Sequence, residues 1–385
     1  MRAARSRELA FAGSAAVGLL MAAVVVGSHQ RALWATGEAW PLDTVVRQQN
    51  RIEAVFQREY ASPDTVPAYK FRSLRNRKPA IAVLGSTRMA GVRGSLFGEE
   101  SRFYNAAGLV RSLGDLQAVL DRVPKTETPP VVLLGLDLWW FSYEWPMAPT
   151  DWNRDPEGGW LTRGATIARL AAQPWLLWSA PKSTPRAMIG LGALRSGEGF
   201  RSDGSIVRIV SPGEQVGSQP FVDTADPPVA ERVKKGTYEF AANSVVSRER
   251  LERLRLILRQ FRDRGTLVIG VAPPLASAAV DLLGADPRHR QFWKEFREET
   301  SRVFRQTGFP FLDASDPRTL GLDDRYLFDG FQAGEVFWAP ALERLAKDPR
   351  VERVLPSLRA NLAAVRQQEP ERLLQLGPAL SSSLR

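Results

Sequence analysis

Three short stretches, Ala80–Leu84, Val131–Leu136 and Thr266–Ala272, are continuously apolar and rich in β-branched residues. Strands buried on both faces read this way, because neither side meets water; half-buried strands alternate instead. Each stretch is bounded by breakers: Pro79 and Gly85 around the first, Pro129-Pro130 before the second, Pro273-Pro274 after the third. Between the first two lie Phe103-Tyr104-Asn105, a further short strand, and Ser112–Val123. The latter places Leu113, Leu116, Val119, Leu120 and Val123 at helical spacing behind Ser112 as N-cap. Strand, helix, strand at this spacing requires a crossover, so the spacing predicts a parallel sheet and an α/β class. The alternation resumes later. Ser247 caps a helix carrying Leu251, Leu254, Leu258 and Phe261 and closed by Gly265, and Asp286–Gln306 is a second helix. Phe309–Leu312 is a short strand leading to Asp313, and a last helix of this part spans Ala333–Ala346.

Ahead of this body, Leu9–Gly27 carries no charge and follows Arg2, Arg5 and Arg7. At 1.5 Å per residue it spans about 28 Å, close to the hydrocarbon thickness of a bilayer. Basic residues before an apolar run hold that end in the cytoplasm, so the bulk of the chain is expected outside, as a single-pass inner-membrane protein with a periplasmic body. Val25-Val26-Gly27 also reads as a cleavage site; the length of the run favours an uncleaved anchor. The organisation expected is a cytoplasmic tip (1–8), a transmembrane signal anchor (9–27), a connecting segment (28–78) helical over Ala39–Tyr60, a main domain (79–349) and a C-terminal helix and tail (350–385) kinked at Pro356. An insert at 138–236 interrupts the main domain. Seven of the eleven tryptophans fall between Trp139 and Trp178, so the insert is either a lid or binding surface or a loop pinned by ring anchors. Within it, Ala165–Trp178 reads as a helix, and Arg201–Ser205 as a hairpin turn between Phe200 and Ile206.

Composition removes several function classes. Without cysteine there is no disulfide framework, thiolate nucleophile or Cys-based metal site. The net charge of +10 is spread among acidic residues with no recognition motif, so nucleic acid is not an expected partner; anionic lipid or polysaccharide suits the charge as well. No phosphate loop and no G-x-G-x-x-G opens a helix, and no His or Cys cluster has transition-metal spacing, so no cofactor and no metal is expected. Asp313, Asp316, Asp323 and Asp324 lie close enough in sequence for a divalent cation, though turn and cap duties account for them more simply.

Two segments carry the candidate chemistry. Gly85-Ser86-Thr87-Arg88 follows the first strand, where open α/β sheets keep their sites, and Asp329-Gly330-Phe331-Gln332 precedes the last helix of the main domain. Ser86 or Thr87 could equally be a plain helix cap, and Asp137 a strand-end cap. Together with Tyr104–Gly108, Gly135–Phe141 and Val271–Leu275, these segments resemble the SGNH hydrolase superfamily, in particular its membrane-anchored extracytoplasmic branch associated with O-acylation of surface polymers. The resemblance spans residues 79–346. It implies a three-layer, flavodoxin-like sheet with helices on both faces, a nucleophile at Thr87 and an acid at Asp329. It also implies oxyanion donors from the N–H groups of Thr87 and Gly108 and the Asn105 side chain, with Ser86, Arg88 and Asp137 alongside. The position of the base is held by Gln332, whose amide accepts no proton near neutral pH. The histidines are His29, beside the anchor, and His289, between two arginines, a poor substitute base. What the resemblance implies is therefore a degenerate SGNH-like protein that binds a cell-envelope polysaccharide or a polytopic membrane O-acyltransferase; the alternative is an active esterase or O-acyltransferase working through Thr87.

Overall fold

The computed structural model describes residues 2–62, 64–98, 102–152, 188–208, 225, 227–241 and 245–368. Its strands are β1 (Val55–Phe56), β2 (Ile81–Leu84), β3 (Phe103–Asn105), β4 (Val131–Gly135), β5 (Met188–Ile189), β6 (Gly199–Phe200), β7 (Ile206–Val207), β8 (Leu267–Ala272) and β9 (Phe311–Asp313). Its helices are α1 (Arg2–Ala35), α2 (Leu42–Gln49), α3 (Thr65–Arg77), α4 (Leu113–Arg122), α5 (Leu191–Ser196) and α6 (Val229–Lys235) in the first part of the chain. They continue with α7 (Arg248–Asp263), α8 (Ser277–Ala285), α9 (Pro287–Thr307), α10 (Glu335–Leu345), α11 (Pro349–Val354) and α12 (Leu358–Gln368).

The main sheet has the order β3-β2-β4-β8-β9, and every pair in it is parallel. Counted along the chain this is 2-1-3-4-5, the order of flavodoxin-like sheets, whose winding reverses between the first and third strands. Here that reversal falls between β2 and β4. Alternate side chains serve two separate cores. Ala82, Leu84, Val132, Leu134 and Val268 pack with Leu74 of α3, Leu116 of α4, Leu254 and Leu258 of α7 and Phe296 of α9. Ile81, Val83, Leu133, Ile269 and Val271 pack on the other face with Phe337 and Trp338 of α10, Val351 of α11 and Leu362 of α12. Helices thus cover both faces, which is why the strands are apolar without alternation. Each Val, Leu, Ile or Phe side chain so withdrawn from water contributes about 1.5–3 kcal/mol.

The expected caps at Ser112 and Ser247 are in place, and Asp286 adds one that was not anticipated. Ser112 Oγ accepts the Asp115 N–H, Ser247 Oγ that of Arg250, and Asp286 Oδ1 that of Arg288. Pro356 lies between α11 and α12 and separates two helices rather than kinking one. The connecting segment departs from expectation. Its helix stops at Gln49 instead of running to Tyr60, because Val55 and Phe56 pair as a strand with Met188 and Ile189. The Gln49 amide then fastens the intervening turn to the carbonyls of Ala54 and Phe200. The helices α3 and α8 were not anticipated, and α3 joins the core of the main sheet, so residues 65–77 belong to the body rather than to a connector.

Within the insert, Arg201–Ser205 makes the expected hairpin between antiparallel β6 and β7. These strands join β1 and β5 in a small mixed sheet of order β5-β1-β6-β7. Trp139, Trp140 and Trp152 are buried in the main core and act as ring anchors; the expected helix at 165–178 lies outside the described residues. At the N-terminus, Phe11–Ala35 of α1 is long and apolar enough to cross a membrane. The end of α1 is built into the body. His29 and Leu33 are buried, Gly190 donates its N–H to the Thr36 carbonyl, and the Glu38 carboxylate accepts the N–H groups of Glu59, Tyr60 and Leu191.

Candidate functional site

The carboxyl edge of the main sheet opens, at the point where the winding reverses, between the turn after β2 and the turn after β4. Gly85 begins the first turn with φ +138°, and a Cβ there would sit 3.0 Å from the Gly135 carbonyl oxygen and 3.2 Å from its Cα. Only glycine lets the two turns approach this closely. Ser86 Oγ then accepts the Arg88 N–H at 3.4 Å, capping a single 3₁₀ turn over Thr87–Met89. The hydroxyl of Ser86 does what a cap does.

Thr87 points outward and is exposed; among the described residues nothing bonds its hydroxyl. Arg88 turns inward. It is buried, donates from Nη1 to Asp137 Oδ1 at 2.8 Å, and donates from Nη2 to the carbonyls of Pro273 and Pro274 at 2.7 and 2.6 Å. One guanidinium therefore ties together the ends of β2, β4 and β8. Its face lies 5.2 Å from the Trp139 ring and 5.9 Å from Phe331. Burial pushes the Asp137 carboxyl up and the Arg88 guanidinium down, each resisted by the other's charge. Asp137 is thus the counter-ion of Arg88, not a group presented to solvent. At the switch point, where such sheets bind ligands, this chain places its own buried ion pair.

The late acidic loop arrives at the same edge. Gly91, past the 3₁₀ turn, abuts the Ala333 carbonyl, and Ala276 donates its N–H to Gly330 at 3.0 Å. Asp329 Oδ1 accepts the N–H groups of Phe331 and Gln332 at 2.8 and 2.7 Å, shaping the loop from within. Gln332 Oε1 accepts from Arg208 Nη2 at 2.9 Å, and the same Arg208 stands 4.0 Å from Asp329 Oδ2. The two segments thus touch through Gly91 against Ala333 and through Arg88, 5.9 Å from the Phe331 ring.

Two of the expected oxyanion donors are otherwise engaged. The Gly108 N–H donates to the Gly85 carbonyl at 2.8 Å. Asn105 is fully buried; its amide donates to the carbonyls of Met89 and Val92 at 2.9 and 2.7 Å while its Oδ1 accepts the Ala107 N–H. Both residues hold the sheet edge together, and the expectation that they offer free donors is corrected on that ground. The Thr87 N–H is the remaining donor without a partner among the described residues. Neither histidine stands at this edge. His289 is buried with Nε2 3.0 Å from the Val233 carbonyl, and His29 Nδ1 lies 2.7 Å from the Val25 carbonyl within α1.

The four aspartates after β9 have local duties. Asp316 and Asp323 cap short turns at Arg318 and Arg325, Asp324 takes the Ser277 N–H at the start of α8, and Asp313 pairs with Arg297. Among the described residues no group of three His, Cys, Asp or Glu is placed to hold a metal ion.

Behind the late loop lies a buried charge network. Glu335 pairs with Arg201 at 3.2 Å and Arg93 at 3.7 Å, and burial outweighs both, pushing its carboxyl up to about 6. Lys70, fully buried, donates to the carbonyls of Asn105 and Gly204, and burial holds its ammonium well below the ordinary lysine range. These groups lock the hairpin at 201–205 against the sheet edge. Arg208, which holds Gln332, has no local pattern in the sequence to mark it.

No protein-family model, curated protein or solved structure matches this chain. Its chemistry therefore rests on its own geometry: an exposed Thr87 beside the buried Arg88–Asp137 pair, with the Gln332 amide held by Arg208 in the late loop.

Proposed function

We propose that this chain is an exported, membrane-anchored protein of SGNH-like three-layer architecture that holds a cell-envelope polysaccharide, or a polytopic O-acyltransferase partner, during O-acylation without itself cleaving an ester. The observation that carries this reading is the occupation of the switch-point crevice by Arg88, bonded to Asp137 and to two carbonyls of the next strand end. An acyl group seated there would have to displace a buried, paired cation. The strand order and the helices on both faces support the SGNH-like layering. The engaged donors of Gly108 and Asn105, and the Gln332–Arg208 bond, support the absence of turnover. An apolar N-terminal helix following three arginines supports an anchor with the body outside.

The test is hydrolysis of 4-nitrophenyl acetate by the detergent-solubilised full chain beside its Thr87→Ala variant. Equal background rates are expected, together with co-purification of envelope polysaccharide or of a polytopic acyltransferase. Turnover that disappears in Thr87→Ala would overturn the non-catalytic reading. It would favour the second one, an esterase or O-acyltransferase using Thr87, for which the exposed and unbonded Thr87 hydroxyl is the supporting observation.

A further inference from the structure

Trp139 does more than cover Arg88. Its ring also forms one wall of a cleft of about 330 Å³ lined by Ser142, Glu144, Trp145, Tyr238 and Glu239. The volume is at the small end of ligand clefts. Three features distinguish this cleft from a chance gap between side chains. First, its aromatic walls are held: Trp145 is only half-buried, yet its indole N–H donates to the Arg111 carbonyl at 2.9 Å, and its ring lies 5.9 Å from Trp139. Second, the loop bearing them is clamped from beneath, since Arg250 donates to the carbonyls of Trp140, Tyr143 and Trp145. Third, Tyr238 is 66% exposed and has φ +55°, a left-handed backbone that side chains other than glycine's adopt at a cost of ~1–3 kcal/mol. The Arg232 guanidinium, 5.2 Å from the Tyr238 ring and 5.3 Å from Phe331, sets the ring's position.

We propose that this cleft binds an uncharged pyranose unit of a polysaccharide between the faces of Trp145 and Tyr238. A pyranose has an apolar C–H face and a rim of hydroxyls. The cleft offers fixed aromatic faces with carboxylate and hydroxyl oxygens of Glu144, Glu239 and Ser142 at its margin, which accept hydrogen bonds from such a rim. Its charge selects against acidic sugars: Glu239 is matched by Arg232 at 3.2 Å, whereas no cation among the described residues pairs with Glu144. Trp139 is shared with the Arg88 site, so the cleft adjoins the buried Arg88–Asp137 pair across that ring. The proposal deepens the polysaccharide reading above and rests on it.

The experiment is calorimetric titration of the detergent-solubilised full chain, and of Trp145→Ala and Tyr238→Ala, with four hexasaccharides. Two are uncharged (cellohexaose and its N-acetylglucosamine counterpart), one anionic (hexagalacturonate) and one cationic (chitosan hexamer). At least one uncharged probe is expected to bind, with each variant about tenfold weaker and circular dichroism unchanged. Binding of the charged probes alone, binding unaltered in both variants, or no binding of any probe would overturn the assignment. Co-sedimentation with the isolated envelope polysaccharide separates the two levels. Undiminished sedimentation of both variants removes the cleft and leaves the polysaccharide reading standing; failure of the unmodified chain removes the cleft and the polysaccharide reading together.

Discussion

Replacing Asp137 by asparagine tests the reading of the switch-point crevice at its centre. The side chains keep nearly the same shape, and an oxygen remains to accept from Arg88 Nη1, so the change removes charge and little else. What is left is a guanidinium as buried as before, with two carbonyls as its other partners. Breaking a buried pair by neutralising one member costs about 3–5 kcal/mol, and the retained hydrogen bond places this case near 3 kcal/mol. For a body of this size, whose unfolding entropy is roughly 0.7 kcal/mol/K, that corresponds to a fall in Tm of roughly 4 °C. The reverse change, Arg88→Leu, also orphans the Pro273 and Pro274 carbonyls and should cost at least as much. Combining Arg88→Leu with Asp137→Leu should cost clearly less than the two single changes added together, because no buried charge then remains alone. The assay is thermal and urea unfolding of the full chain in detergent, followed by near-ultraviolet circular dichroism of the buried tryptophans. A loss under about 1 kcal/mol for Asp137→Asn, the size of an exposed pair, would mean that water reaches the crevice and that Arg88 is not its plug.

Gly85→Ala combines a strained φ with a Cβ forced against the Gly135 backbone, and should lose ~2–3 kcal/mol in urea unfolding. Glu335 supplies a pH dependence with a definite sign. Folding raises its carboxyl from the ordinary 4.5 to about 6, so the folded state holds the proton more tightly and this group favours folding more as pH falls from 6 to 4.5. The span corresponds to ~2 kcal/mol, and Tm compared across pH 4.5–7 should lose that component in Glu335→Gln. Thr87→Ser with Gln332→His should remain without esterase activity toward 4-nitrophenyl acetate, since Gly108 and Asn105 keep their donors engaged and Arg208 occupies the approach to position 332.

What the sequence disclosed and what it concealed divide along a physical line. Ser112 and Ser247 were recognisable as caps because a cap bonds three residues ahead, within the window that local pattern covers. The main strands were legible because burial on both faces leaves an unbroken apolar run. The end of α2 was not legible: Val45, Ile52 and Phe56, at i, i+7 and i+11, keep a helical rhythm, and only a partner strand far down the chain turns Val55-Phe56 into β1. The site divides the same way. Arg88 and Asp137 each stood at a strand end as separate candidates, but their pairing joins residues 49 apart, and Arg208 reaches Gln332 across 124. Nor does composition distinguish a donor that is free from one already bonded, which is why Asn105 and Gly108 were misassigned.

The way the N-terminal helix ends bears on how the body would ride on a bilayer. With His29 and Leu33 clasped and Thr36 and Glu38 tied to residues 190 and 191, no slack chain separates the last turns of α1 from the folded mass. The part not clasped, Phe11 to Ser28, is about 27 Å long, one hydrocarbon thickness. On a bilayer, a body moored so short would have its height above the headgroups and its tilt set by the fold, while the whole molecule still turned about the membrane normal.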